Sequence, residues 1–242
     1  MFRIRLTLPK RMAIGYRNLD LLHDALVNGW TAAGADPEQV LGPSAGLWTF
    51  APLGWRANGE NRAHTLVVST ADPRLAEVLA RLTPDQVRHR RPASDEAVDF
   101  AAATVTGSPD PVVPDSQALG VLMLSPLAIS HRENGTRRWQ TRLDAGDPSA
   151  AISGRLTRLA GRPVRLRVTP DRLYLRATPR HDTLVPLKTF PGGRRSFVIG
   201  MRAPLLIEGA PEDLRLAWYA GIGEKTRFGF GCIGLAEKGV GR

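Results

Sequence analysis

The order of elements along the chain predicts an α+β fold of two β-α-β-β-α-β units in tandem. Three observations carry this. Alternating apolar stretches and helical-period stripes recur in that order in each half of the 242 residues. A stretch dense in glycine and proline, Gly107-Ser108-Pro109-Asp110-Pro111 through Pro114, separates the halves. The length suits two small domains, and a 43% hydrophobic share is enough to build their cores. The expected division is a domain at 1–107, a linker at 108–117 and a domain at 118–242.

In the first half, Phe2 to Leu8 alternates as a half-buried strand does, and Pro9 ends it. Lys10 to Arg17 reads as a basic loop. Asn18 is a good N-cap, and Leu19, Leu22, Leu26 and Trp30 follow at helical spacing until Gly34. Leu47 to Leu53 and Thr65 to Thr70 read as strands. Pro73 to Leu82 reads as a helix with proline in its first turn, and Val98 to Thr106 as a further strand. This is the ferredoxin-like order. In the second half, Leu119 to Ile129 reads as a strand and Ser149 to Leu159 as a helix. Val164 to Val168 and Arg172 to Ala177 read as a hairpin around Thr169-Pro170-Asp171. Ser196 to Ile207 reads as strand. Pro211 to Ala220 reads as a helix with Glu212 and Asp213 in its first turn, and Phe230 to Ala236 as the last strand. The second half thus repeats the first with an added hairpin.

Composition narrows the function. The single cysteine, Cys232, excludes an internal disulfide framework and a Cys-rich zinc site. The five histidines, His23, His64, His89, His131 and His181, show no metal-ligand spacing on one helix, so no metal and no cofactor is expected. The start alternates charged and apolar residues, unlike a signal peptide, and no apolar run is long enough to span a membrane. A cytoplasmic protein without membrane partners is expected.

The net charge is +10, and 29 of the 33 basic residues are arginine, whose planar fork grips phosphate and stacks on bases. Residues 130–195 hold fifteen basic residues against five acids, while the remainder of the chain nets to zero. A surface with its whole positive surplus in one segment is what a polyanion-binding protein presents. Two stretches read as RNA grips. His131 to Arg142 contains an Asn134-Gly135 turn, with Arg132, Arg137, Arg138 and Arg142 around Trp139, a base-stacking platform. Pro191-Gly192-Gly193-Arg194-Arg195 reads as a loop tip. Arg155 and Arg158, three apart on one helix, are spaced to follow a phosphate backbone.

The most distinctive stretch runs Gly221-Ile-Gly223-Glu-Lys225-Thr-Arg227-Phe-Gly229-Phe-Gly231. It follows a helix and precedes a strand, the reverse of a dinucleotide-binding loop, and Lys225 lacks the preceding glycine of a Walker loop. What remains is a loop whose backbone can approach phosphates, flanked by Lys225 and Arg227. Gly42-Pro43-Ser44-Ala45-Gly46 matches a nucleophile-elbow spacing, but no buried strand precedes it and no helix follows.

The glycine loop, near the end of a basic ferredoxin-like half, resembles that of the CRISPR-associated RAMP proteins, and more narrowly that of their repeat-processing endoribonucleases. Leu124-Ser125-Pro126-Leu127 resembles that family's first strand of the second domain. Leu22-His23-Asp24-Ala25-Leu26-Val27 resembles the catalytic-histidine helix of the subtype that binds its RNA product. Residues 48 to 114 carry no such resemblance. The resemblance implies two RAMP-type, RRM-like domains and cleavage of CRISPR repeat hairpin RNA into guide RNA. It also implies retention of the product alongside other subunits of an effector complex. It places a general acid or base on the His23 helix.

His23 sits on the edge of the Leu19, Leu22, Leu26, Trp30 stripe, from which it is expected to reach a cleft between the domains. Histidine can take the proton from a ribose 2′-OH or protonate the leaving 5′-oxygen. Arg11, Tyr16 and Arg17, just before the helix, are placed to align the attack and stabilise phosphate charge. Two alternatives stay open: a non-catalytic guide-RNA-binding RAMP subunit, and an unrelated basic RNA-binding module.

Overall fold

The computed structural model describes residues 1–42, 45–92 and 94–236. Ser44 of the Gly42 to Gly46 stretch and the end of the 118–242 segment lie outside the described residues. No helix among the described residues is long and apolar enough to cross a membrane.

The first sheet is built on β1 (Phe2–Thr7), β2 (Ile14–Tyr16), β3 (Trp48–Ala57), β4 (Glu60–Thr70) and β7 (Thr104–Gly107). β4 pairs antiparallel with β3 on one edge and with β1 and β2 on the other, and β1 pairs onward with β7. The order β3-β4-β1-β7 is ferredoxin-like. α1 (Leu19–Ala32) and α3 (Pro73–Arg81) cover one face, burying Leu22, Leu26 and Trp30 against Ile4, Leu6, Phe50 and Leu66. A five-residue helix, α2 (Pro37–Leu41), follows α1, and a hairpin of β5 (Arg88–Arg91) and β6 (Glu96–Asp99) packs on α1.

The second sheet has the order β11-β14-β8-β15, from β8 (Ala118–Met123), β11 (Leu166–Pro170), β14 (Leu205–Gly209) and β15 (Ile233–Leu235). Its helices are α4 (Pro148–Ala160) and α6 (Pro211–Ala220), which bury Ile152, Leu156, Leu214 and Ala217 against Val121 and Ile207. This too is ferredoxin-like. Two hairpins stand outside it: β9 (Ser130–Glu133) with β10 (Thr136–Trp139), and β12 (Asp182–Thr189) with β13 (Arg195–Met201).

Several expectations are corrected. Arg172 to Ala177 is a helix, α5, because the Asp171 carboxylate accepts the Leu173 and Tyr174 amides at 2.8 and 3.0 Å; β11 pairs with β14 instead. Ser196 to Ile207 is two strands in different sheets, broken at Arg202–Pro204, where proline lacks the donor a ladder needs. The strand expected to run to Ile129 stops at Met123 before Ser125-Pro126, leaving only isolated bridges at Leu127 and Ala128. Val98 to Thr106 is likewise split, between β6 and β7. The supposed loop before α1 holds the short β2. β3 and β4 run further than expected, because Asn58 and Gly59 supply two left-handed turn residues. Asn18 precedes α1 without capping it; its amide donates to Thr189 Oγ1 at 3.1 Å.

The far face of the first sheet meets the second unit through polar groups. Arg3, 1% exposed, donates from Nη1 to the Ile233 carbonyl at 2.7 Å and from Nη2 to the Trp218 carbonyl. Its guanidinium lies 3.8 Å from the Trp218 ring centroid, and burial lowers its pKa. Ser69 donates to the Tyr219 carbonyl and Thr49 to the Phe230 carbonyl. Arg3→Ala removes the donors of two buried carbonyls and opens a cavity. It is expected to lower stability by about 3 kcal/mol, measured by urea unfolding; a loss within the error of the fit would show that the contact contributes nothing.

Candidate functional site

α1 carries His23 under the glycine loop. The imidazole is 6% exposed and lies 4.4 Å, centroid to centroid, from Phe228 of that loop and 5.9 Å from Trp48 of β3. Its Nδ1 is buried without a hydrogen-bond partner among the described residues. Burial pushes its pKa down to about 4; Asp24 opposes this, and Arg227 and Arg91 reinforce it. The ring is therefore neutral near pH 7. The helical stripe puts His23 at its edge, as expected, but the edge is covered by Phe228 rather than open to a cleft.

Tyr16 and Arg17, at the end of β2, do reach a cleft. About 1380 Å³ lies between β2, the β3–β4 tip, the β5–β6 hairpin and the β12–β13 hairpin. Burial raises the Tyr16 pKa to about 12, so its hydroxyl stays a donor. Arg17 is exposed and pairs with Glu60 at 3.1 Å. Arg11, in the turn closed by the Met12 amide on the Pro9 carbonyl, adopts a left-handed φ of 76° and is not among the residues lining the cleft. Arg195 lines the opposite wall with the exposed ring of Phe197 and with Arg202. Arg194 and Lys188 sit over Phe190 at the same hairpin's tip.

Sequence reasoning missed Phe197, Arg202 and the Arg88-His89-Arg90-Arg91 run. The run was visible as a cationic cluster outside the basic segment. Arg91 bonds Asp20 at 3.0 Å and Asp24 at 2.6 Å, and Arg90 pairs with Asp95, so the run also fastens its own hairpin to α1.

The β9–β10 hairpin turns at Asn134 (φ 49°) and Gly135 (φ 77°), as its Asn-Gly pair predicts. Arg132 and Arg138 are exposed on it, and β10 lies beside β13, so two arginine hairpins are neighbours. Trp139 is not an open platform. It packs against the first core, and the Arg137 guanidinium lies 4.7 Å from its ring centroid. Arg142 lies past the hairpin, paired with Asp144 through two hydrogen bonds.

On α4, Arg158 is exposed but Arg155 is turned inward, donating to the Gly46 carbonyl at 3.1 Å and to Thr226 Oγ1 at 2.7 Å. Burial lowers its pKa to about 10. It holds the glycine loop rather than a phosphate backbone. Arg227 is corrected for the same reason, since its Nη1 donates to the Val40 and Gly42 carbonyls.

The glycine loop itself is packed against protein. Gly221, Gly223, Gly229 and Gly231 all have positive φ. The amides of Ile222, Glu224, Phe228, Gly229 and Gly231 all bond backbone carbonyls, so they are not open to phosphate. Lys225 alone of its two cations is exposed, its Nζ 5.7 Å from the Phe228 ring centroid. The glycines serve close approach: at Gly229 a Cβ would stand 2.9 Å from the Phe50 ring.

Residues 108–235 match the family model of the C-terminal part of the CRISPR-associated protein Cas6. No curated relative matches the chain in sequence. Many solved structures are similar to it, among them the following three. The product of a Cas6-related gene from Pyrococcus furiosus is 15% identical with a TM-score of 0.71, covering 98% of this chain and 99% of that one. A RAMP protein binding different RNA substrates is 15% identical with a TM-score of 0.67, covering 98% and 100%. A Cas6 in complex with its product is 19% identical with a TM-score of 0.58, covering 96% and 97%. At these identities the likeness establishes the fold of two ferredoxin-like units.

Proposed function

The chain belongs to the CRISPR-associated Cas6 family, and from that premise we propose that it binds CRISPR repeat hairpin RNA and cuts it into guide RNA without a metal ion. The unit at 1–107 carries the cleavage helix, and 118–242 holds the RNA. The observation that carries this reading is the family match over 108–235, a span that includes both arginine hairpins and the glycine loop. With the family established, an unrelated basic module is set aside.

In the cleavage step the 2′-oxygen attacks the adjacent phosphorus while the bond to the 5′-oxygen breaks. The products are a 2′,3′-cyclic phosphate and a 5′-hydroxyl. The proton leaving the 2′-OH needs an acceptor, and the 5′-oxygen needs a donor. His23, neutral at pH 7, accepts the 2′-OH proton once the Phe228 side chain swings off its ring, and water supplies the proton to the leaving 5′-oxygen. Tyr16, held protonated, supplies a hydrogen bond, while Arg17 and Arg11 offset charge growing on the phosphate. Among the exposed cations, Arg132, Arg138, Arg158, Arg194, Arg195 and Lys225 grip the backbone. The product stays bound for an effector complex.

A second reading, a guide-RNA-binding subunit that does not cut, is favoured by the covering of His23 between Trp48 and Phe228. One gel separates the two. Repeat RNA incubated with the protein in EDTA is expected to yield a cyclic-phosphate product, and a 2′-deoxy residue at the cut site is expected to abolish it. Cleavage that needs added metal, or that survives the deoxy substitution, would overturn the mechanism. Tight binding with no cut would establish the second reading.

A further inference from the structure

Among the described residues, the β9–β10 hairpin is a two-stranded sheet hydrogen-bonded to no other strand, and such a ribbon is marginal by itself. Its anchor comes from the glycine loop. The Glu224 amide donates to the Ala128 carbonyl at 2.7 Å. Oε1 of Glu224 accepts from the Ser130 amide at 2.9 Å and from the Ser130 hydroxyl at 2.6 Å. Oε2 accepts from Nη2 of Arg137, whose Nε donates in turn to Ser130 Oγ at 3.0 Å. One carboxylate thus holds the first residue of β9 and an arginine of β10, and that arginine lies over Trp139 at the hairpin's base.

The same loop is fixed at its other end. Arg227 bonds the carbonyls of Val40 in α2 and of Gly42 just after it, Phe228 lies against His23, and Gly229 abuts Phe50. The loop is therefore a strut with the histidine at one end and the arginine hairpin at the other.

We propose that Glu224 is a positioning residue: through Ser130 and Arg137 it sets where the exposed Arg132 and Arg138 stand relative to the His23 helix, and so where a bound RNA presents its cut site. This rests on the reading of the hairpin as an RNA grip. A carboxylate bridging two strands resists displacement better than a neutral contact, because charge-assisted hydrogen bonds are the stronger ones.

The test uses the full chain with E224A, E224Q, R137M and the double variant E224A/R137M. Amide hydrogen exchange without RNA reads the anchor directly. In E224A, residues 130–139 are expected to exchange about tenfold faster or more, with the strands of both central sheets unchanged. E224Q keeps an acceptor for Ser130 and is expected to restore protection there. Affinity for repeat hairpin RNA is expected to fall about tenfold in E224A, and E224A/R137M to bind no more weakly than E224A, since the two act as one unit.

Unchanged exchange in the hairpin, or faster exchange throughout the fold, would overturn the proposal. So would unchanged RNA affinity despite a loosened hairpin. Tighter binding by E224A would also overturn it, showing that Glu224 masks Arg137 instead of placing it. If the wild-type chain neither binds nor cuts repeat RNA, the functional reading fails, while the exchange comparison still decides whether Glu224 anchors the hairpin.

Discussion

Gly231→Ala is expected to destabilise the protein by about 3–6 kcal/mol, enough to lower the melting temperature by about 10 °C or more. Two effects combine. Gly231 has φ 68°, which an alanine adopts only with strain. An added Cβ would also overlap the Ile222 carbonyl oxygen and stand 2.9 Å from its carbon. Nothing near it can give way, because the Ile222 amide donates to the Gly231 carbonyl and the Gly231 amide donates to the Pro126 carbonyl. Gly192→Ala is the internal comparison. There φ is 84° with no atom of the described residues within 4 Å of the added carbon, so only the backbone strain applies, at about 1 kcal/mol. Thermal melts of both variants check this. Equal losses would mean that the overlap at Gly231 relaxes and that the loop is looser than its packing implies.

His23→Ala is expected to slow single-turnover cleavage of repeat RNA by about 10²–10⁴-fold while leaving RNA affinity within a few-fold, as for loss of a general acid or base. Unchanged cleavage would remove His23 from the chemistry and leave Tyr16, Arg11 and Arg17 to carry it by alignment and charge stabilisation. The same side chain has a signature in stability that needs no RNA. Its folded pKa of about 4 lies below its ordinary value of 6.5. The unfolded chain therefore binds the proton more readily. The stability that His23 contributes is fully present above pH 6.5 and is lost as the pH falls from 6.5 through 4. The loss amounts to about 3 kcal/mol. Urea unfolding at pH 7 and pH 4 is expected to show that loss in the wild type beyond whatever His23→Phe shows. Identical pH dependence in the two would mean that the imidazole is solvated.

Near-neighbour chemistry was enough to read much of the fold. Pro211 to Ala220 is a helix over the span its proline, acidic first turn and following glycine announce. The Asn134-Gly135 turn forms the hairpin that its residue pair calls for. Where two local signals compete at Asp171, its capping carboxylate outweighs the strand-like alternation after it. No local pattern announces β12. Its alternation is irregular, it is interrupted by Pro186, and its partner strand begins only after a glycine turn.

The arginines divide along the same line. Their number and their crowding into residues 130–195 are legible in one pass, and with the glycine loop they point to an RNA-binding RAMP chain. Which of them face solvent is not legible there. Arg3 reaches a carbonyl 230 residues away, Arg155 one 109 residues away and Arg227 one 185 residues away. Spacing along a strand or helix says which side of an element a residue occupies, but not what will cover that side. Covering depends on how two sheets and a loop pack together. That packing turned three cations inward onto backbone carbonyls, sealed His23 beneath Phe228, and left Arg132, Arg138, Arg194 and Arg195 exposed.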